Sequence, residues 1–441
     1  MEPAHFEALY PEDTRSEEIK KILEFVKSGR AIQIVGLPGT GRSNLLGLLS
    51  YNKQVRLKHL GENNKWFHFV YMDFSEVRKR PAYDVIKFIL ISTAYSLSER
   101  ERKAEYETVN KFLKEAINFQ DEMILFQALK KTIDYLAIEK ELTIVFLFDR
   151  FEQYIPNISE EFFLNLKILR NRAKYRFSCI FSLNRPLEDV VEPFIFTEFN
   201  EFLEGNIVYL RVYDPIGIEF RFSYLEKVTG KKTDVQTKKE LIALTGGHGK
   251  ISRLAYESVL SEDGKISDLK YFLLQRSVIN KSLSQIWDYL SPAEQNFLRV
   301  KAKTEKENKD YKYLENIGLL KNGKIAIPLF EEYIKTAPVE KTENIRFDAE
   351  KNEILKGAEQ ITERLSPSEF RLLRFMLLNP DKICEKDEII QAVWKDSKTQ
   401  EGVTDQALDQ IIYRLRKKIE DDPNNPTHLI TIKGRGFKFI P

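Results

Sequence analysis

The chain has 441 residues, 42% of them hydrophobic and 31% charged, which makes it too long for one ordinary core and too apolar for a disordered polyelectrolyte. At about 100–200 residues per domain, two to four domains are expected. Lysine and arginine outnumber aspartate and glutamate by only 69 to 67, so affinity for a polyanion has to come from local clustering of cations, and two distant cysteines, Cys179 and Cys384, exclude a disulfide framework.

The first residues, Met1-Glu2-Pro3, carry neither a basic nor an apolar leader, and no apolar run nears the roughly 20 residues of a membrane span. A cytoplasmic protein with no membrane partner is expected. Residues 16–27 repeat apolar side chains at helical spacing, and 31–35 form a short apolar strand that ends in a glycine-rich turn. Further strand-like runs at 66–72, 143–148, 177–183 and 206–212 are separated by helical stretches such as 82–97 and 121–138. Strands alternating with helices predict an α/β fold with a parallel sheet covered on both faces.

After Asp214-Pro215 the strand signals stop, and 216–275 reads as a helical lid broken at Thr245-Gly246-Gly247. A new unit begins near Ser284. Here Leu290-Ser291-Pro292-Ala293-Glu294 is nearly repeated by Leu365-Ser366-Pro367-Ser368-Glu369, and in both Ser suits a helix N-cap, Pro the first turn and Glu a capping box. The first copy leads to a hairpin around Asn322-Gly323 and one more helix, a winged-helix-like order. Asp310, Glu315 and Asn316 interrupt any basic face there, so this module is expected to pack on the lid. The polar stretch 336–343 reads as a linker. The expected domains are a nucleotide-binding α/β domain at 1–213, a lid at 214–281, a winged-helix-like module at 282–336 and a terminal winged helix at 343–441.

The run Gly36-Leu37-Pro38-Gly39-Thr40-Gly41-Arg42-Ser43 follows a predicted strand and opens a predicted helix, the context a phosphate loop requires. Glycines let backbone N–H groups approach phosphate oxygens, and a helix N-terminus adds positive potential. Gly36, Gly39, Thr40, Gly41, Arg42, Ser43 and Asn44 are thus candidate ligands of ATP or ADP. Ser43, with Asp149 at the end of an apolar strand, is a candidate for Mg²⁺. Arg42 stands where such loops usually carry Lys. A planar fork is not interchangeable with a compact ammonium, so nucleotide binding is expected with at most weak hydrolysis. The alternative is a glycine turn that holds no ligand.

Phe146-Leu147-Phe148-Asp149-Arg150-Phe151-Glu152 is similar to the Walker B segment of AAA+/STAND ATPases, and Phe69-Val70-Tyr71-Met72-Asp73 looks like their second core strand. The resemblance spans roughly residues 10 to 280. It implies a P-loop NTPase, AAA+-like, with Asp149, Glu152, Arg185 and Arg253 as catalytic candidates. Glu152 is the nearest substitute for the water-positioning acid, because Arg150 stands in the family's usual place for it. Asn184 and Arg185 fall at the sensor 1 position, and Arg253 falls where the lid carries a sensor 2 arginine. His248 reads as a loop histidine without a ligand role.

In the last hundred residues, Leu408, Ile412, Leu415 and Ile419 form an apolar stripe that must face a core. Gln406, Gln410, Tyr413, Arg414 and Lys417 then point outward, as on a recognition helix. A hairpin with Gly434 and Gly436 beside Lys433, Arg435 and Lys438 has the form of a wing. Ile412-Tyr413-Arg414-Leu415-Arg416-Lys417-Lys418-Ile419 and Thr431-Ile432-Lys433-Gly434-Arg435-Gly436-Phe437-Lys438-Phe439 resemble the OmpR/PhoB effector domain, a likeness that extends along the whole segment. The resemblance implies DNA contacts by Arg414 and Arg416. Gln406, Gln410, Tyr413, Lys417, Lys433 and Arg435 complete the candidate DNA-binding set.

Together these features predict a sequence-directed, double-stranded-DNA-binding transcriptional regulator gated by ATP or ADP. RNA polymerase and a second copy of the chain are further candidate partners. The alternatives are a DNA-dependent AAA+ ATPase that loads or remodels DNA complexes, which requires DNA-stimulated turnover, and a STAND-type signalling or defence scaffold whose winged helices bind proteins.

Overall fold

The computed structural model describes residues 5–441 except 192, 263, 265, 301–308, 338–344, 358, 395–404 and 421. The stretch expected to be a linker therefore lies, from residue 338 on, outside the described residues. Two compact units, Met1–Ala337 and Pro338–Pro441, divide the chain.

The first unit is built on five parallel strands, β1 (Ile32–Val35), β2 (Phe67–Asp73), β3 (Thr143–Asp149), β4 (Phe177–Leu183) and β5 (Ile207–Tyr209), in the order β2-β3-β4-β1-β5. β4 is buried at every position and β3 at every position but its first, the near-continuous apolar pattern of parallel strands covered on both sides. Alternation still sorts the side chains. Val145 and Leu147 join Ile32, Ile34 and Phe69 under the helices Ser16–Lys27 and Arg42–Tyr51. Ile144, Phe146 and Phe148 join Val70, Met72 and Phe181 beneath Ala82–Glu99, Glu122–Asp134 and Glu160–Ala173. The register pairs Asp73 with Asp149 and Val35 with both Leu183 and Tyr209. The glycine loop, Asp73, Asp149 and Asn184 thus gather beyond the carboxyl edge, where ligands of open α/β sheets bind.

The helix Lys103–Ile117 is not apparent from the sequence pattern, since its buried stripe is only Val109, Leu113 and Ala116 amid charges. The helix expected through residue 138 ends at Asp134 and continues as one π turn, Tyr135–Glu139.

Asp214 caps the first lid helix, Pro215–Thr229, through Gly217 N, and Val235–Thr245 and Gly249–Leu260 follow. After Leu269–Leu274 and Ser277–Tyr289 come the helices Pro292–Val300 and Lys309–Asn316, the hairpin of β6 (Leu320–Lys321) and β7 (Lys324–Ile325), and the helix Pro328–Thr336. This module packs on the lid: Trp287, Leu329 and Phe330 share the sheet's core cluster, and Lys270 pairs with Glu332 at 2.5 Å.

The second unit opens with an antiparallel sheet of β8 (Ile345–Asp348), β9 (Glu353–Lys356) and β10 (Glu359–Gln360). The helices Pro367–Leu377, Lys386–Val393 and Asp405–Ile419 follow, with β11 (Ile383–Cys384) after the first and the hairpin β12 (Leu429–Ile432) and β13 (Gly436–Phe439) at the end. Leu372, Leu373, Met376, Ile389, Leu408, Leu415, Leu429 and Phe439 meet in one core, which makes this unit a winged helix.

Both Ser-Pro-x-Glu repeats close as capping boxes. Glu294 Oε2 accepts from Ser291 N at 2.9 Å, and Glu369 Oε2 accepts from Ser366 N at 2.7 Å. Each carboxylate also holds a distant cation, Arg185 in the first case and Lys418 in the second.

Candidate functional site

Gly39 and Gly41 in the loop after β1 have φ of 85° and 103°, a region that L side chains rarely adopt. A Cβ on Gly39 would stand 2.8 Å from His248 Cε1 and from Lys250 Cβ, so the lid closes directly on this loop. Lys250 N donates to Gly39 O at 3.0 Å. Arg15 Nη2 donates to Thr40 O at 3.0 Å while its Nη1 reaches Arg211 O, which ties the entry to the first helix to the far side of the loop. Thr40 is buried, and its hydroxyl is spent on Leu37 O at 2.8 Å, within the loop itself. Arg42, Ser43 and Asn44 form the first turn of the following helix and stay half-buried.

Arg42 reaches across the sheet edge. Its Nη2 donates to Asn184 Oδ1 and lies 3.4 Å from Glu152 Oε1. Its Nη1 and Glu152 Oε2 are buried and have no partner. Burial pushes the Glu152 carboxyl above its usual range, although Arg42 pulls the other way. Asp149 is fully buried, with Oδ2 accepting from Tyr71 OH at 2.6 Å and Oδ1 from Arg150 N at 2.9 Å. Burial, reinforced by the Asp149 charge, raises the Tyr71 phenol well above its ordinary value. Arg150, at φ 52°, turns its guanidinium to Asp73 at 3.1 Å.

Arg42, Glu152 and Asn184 therefore meet at one edge, whereas two sequence candidates do not join them. Arg185 points to the winged-helix-like module: Nη1 and Nη2 bind Glu294 at 2.8 and 2.6 Å, Nη2 also donates to Tyr289 O, and the rings of Tyr289 and Tyr313 lie 4.9 and 4.8 Å away. Arg253 spends its charge on Glu257 one helical turn away, at 2.7 Å. Besides Lys250, whose backbone meets Gly39, the lid reaches the loop through the side chain of His248, the N-cap of its helix. It accepts from Ile251 N at 3.3 Å on Nδ1, and Nε2 donates to Pro38 O at 2.9 Å. His248, Arg15 and Tyr71 were not apparent from sequence, because each acts through a partner remote in the chain. The Gly-Gly turn before His248 was the one local signal.

In the second unit the helix Asp405–Ile419 buries Leu408, Ile411, Ile412, Leu415 and Ile419 and exposes Gln406, Gln410, Tyr413, Arg414 and Lys417. Lys433 and Arg435 stand exposed between β12 and β13. Arg416 does not share this face. It follows Leu408 and Ile412 at steps of four, so it falls on the flank of the buried stripe and is 6% exposed. Its Nε donates to Leu429 O at 3.0 Å and its Nη2 to Thr431 Oγ1 at 2.8 Å, which fastens the helix to the wing. Glu420 continues the same seam, accepting from the backbone N of Thr427, His428 and Leu429.

Residues 360–439 match the family described as "Transcriptional regulatory protein, C terminal". Sensory transduction protein RegX3 of Mycolicibacterium smegmatis is 36% identical over 94 residues, which are 21% of this chain and 39% of that protein. Probable transcriptional regulator ycf27 of Cyanidium caldarium is 38% identical over 99 residues, 22% of this chain and 39% of the relative. The chain thus spans 39% of the length of either relative. Among solved structures, the Walker-type ATPase of Pyrococcus abyssi aligns over 73% of this chain and 95% of its own, at 15% identity and a TM-score of 0.44. Among the described residues no helix is long and apolar enough to cross a membrane. The carboxyl-terminal unit of this chain carries a domain of the transcriptional regulatory protein C-terminal family, folded as a winged helix.

Proposed function

We propose that the chain is a transcriptional regulator whose terminal winged helix binds double-stranded DNA and whose first unit holds ATP or ADP as the gate. The carrying observation is the exposed face of the helix Asp405–Ile419, with Gln406, Gln410, Tyr413, Arg414 and Lys417 outward, beside a wing bearing Lys433 and Arg435. Backbone contacts from the wing would position the domain and the helix would read base edges. Replacing Lys433 or Arg435 by Ala should weaken binding to all sequences alike and lower the salt slope by about one each, read from affinities at several salt concentrations.

The residues of the glycine loop fit a nucleotide. Two buried polar atoms without partners, Arg42 Nη1 and Glu152 Oε2, belong to side chains that meet at the sheet edge through Nη2 and Oε1, where a phosphate would meet the guanidinium. No group of three or more His, Cys, Asp or Glu is gathered among the described residues. Ser43, in the first turn of the helix after the loop, and Asp149, at the end of β3, would supply the protein side of a Mg²⁺ shell that phosphate and water complete. When bound, the nucleotide supplies negative charge that competes with Asn184 and Glu152 for Arg42. Asn184 O in turn accepts from Tyr289 OH at 2.5 Å, and Tyr313 OH is hydrogen-bonded to Tyr289 OH. A change at Arg42 thus has a bonded route into the winged-helix-like module. A ligand shifts such an equilibrium only through unequal affinity for its two states.

Arg42→Ala should weaken ATP binding roughly 10- to 100-fold, the loss of one charge-assisted contact, and titration calorimetry would read it. DNA affinity of the full chain with ATP, with ADP and without nucleotide tests the gate. Three equal affinities would remove the switch and leave DNA binding standing.

A further inference from the structure

We infer that the outward row of the helix Asp405–Ile419 is built to read A·T base pairs, with Gln406 and Gln410 each engaging an adenine and Tyr413 a neighbouring thymine methyl. The inference rests on the DNA-binding reading above and names the sequence class that face would select.

At 3.6 residues per turn each residue advances about 100°, so Gln410, Tyr413 and Lys417 fall within about 40° of Gln406 around the axis. On the same scale the five buried residues Leu408, Ile411, Ile412, Leu415 and Ile419 lie between about 140° and 240°. The row is thus diametrically opposite the seam that fixes the helix to its core. All four of its members are exposed, Tyr413 at 45%. No carboxylate lies on the row. Asp405 and Asp409 sit to one flank, both within reach of Lys386 Nζ, at 3.0 and 3.6 Å. The Lys417 ammonium stands 4.5 Å over the Tyr413 ring, covering one face of it and adding charge at the carboxyl end of the row.

A carboxamide offers one donor and one acceptor side by side. Adenine presents the matching pair in the major groove, N7 and the N6 amino group, whereas guanine presents two acceptors and would face the amide oxygen with its own. Two glutamines therefore discriminate against G·C at both positions. Four residues rise about 6 Å along the helix, close to two base-pair steps of about 3.4 Å, so the two adenines would lie about two steps apart when the helix follows the groove. Tyr413, a further 4.5 Å or so along, comes level with about the next step, where an apolar ring edge favours a thymine methyl. Arg414 lies off the row, toward the groove wall, and its Nε is spent on Gln410 O at 3.4 Å.

The test is selection of bound sites from random duplex DNA by the full chain, followed by affinities for single-step variants of the selected site. The expected half-site carries A·T at two positions about two steps apart, and exchange of either for G·C weakens binding roughly 5- to 150-fold. Gln410→Ala should erase that penalty at one position only, and Gln406→Ala at the other. Lys433→Ala should lower affinity for every site and leave both penalties intact. Selected sites with G·C or no preference at those steps, or penalties unchanged in both glutamine variants, would overturn the inference while DNA binding survives. Failure of the chain to retain any duplex would instead sink the reading beneath it.

Discussion

Truncation of Glu294 to alanine is expected to destabilise the first unit by about 3–5 kcal/mol, because it leaves a buried guanidinium without its counter-charge. Arg185 and Glu294 form a two-point contact at 2.8 and 2.6 Å, and Glu294 is only 2% exposed. Burial opposes the charge of Arg185, but the bonds to Glu294 more than offset it and hold the guanidinium protonated. The same carboxylate accepts from Ser291 N at the start of the helix Pro292–Val300, so its loss also removes the returning half of a capping box whose other half, Ser291 Oγ accepting from residue 294 N, remains. Urea unfolding of the full chain reads the effect as an earlier transition of the first unit, with that of the second unit unmoved. Glu294→Gln keeps the cap geometry and should lie between wild type and Glu294→Ala. An Arg185→Met, Glu294→Met pair should recover much of the loss, since two well-packed apolar side chains replace a desolvated ion pair at little net cost. A Glu294→Ala protein that unfolds at the wild-type urea concentration would mean that Arg185 finds solvent, and the proposed route from Asn184 into the winged-helix-like module would lose its anchor.

The parts of this molecule legible in its sequence are those set by local periodicity and local chemistry. The helix Ser16–Lys27 and the strands β1 to β5 announce themselves by apolar spacing, and both capping boxes by four adjacent residues. The outward face of the helix Asp405–Ile419 follows from its apolar stripe alone. What escapes is whatever depends on pairing across the chain. Arg185 lies at a sequence position that suggests a phosphate contact, yet its partner is 109 residues away in a separate helix. Arg416 looks cationic and outward in a run of basic residues, and only its four-residue offset from Ile412 hints that it turns inward to β12. The segment 345–361, with no strong alternation, gives little sign of the antiparallel sheet it forms.

His248 should make the joint between lid and glycine loop sensitive to acid. A carbonyl can only accept, so Nε2 must carry the proton in the bond to Pro38 O, and Nδ1 must be bare to accept from Ile251 N. That is a neutral imidazole, with no room for a second proton unless the helix cap is broken. Burial pushes its pKa down to about 4; the nearby cations Lys250 and Arg15 act in the same direction, and the Pro38 bond acts against them. An unfolded histidine titrates near about 6.5, so between the two values the unfolded chain binds a proton that the folded one refuses. The stabilisation is complete above about pH 6.5 and is lost as the pH falls toward 4, a swing of roughly 3 kcal/mol. His248→Asn retains an oxygen suited to the N-cap but cannot titrate, so its stability should fall less between pH 7 and 4.5 than that of the wild type. Urea midpoints across that range give the comparison, and parallel curves for the two proteins would show that the imidazole titrates as if in water. Since the bond ends on Pro38 within the glycine loop, the nucleotide binding proposed for that loop should weaken over the same window in the wild type and weaken less in His248→Asn.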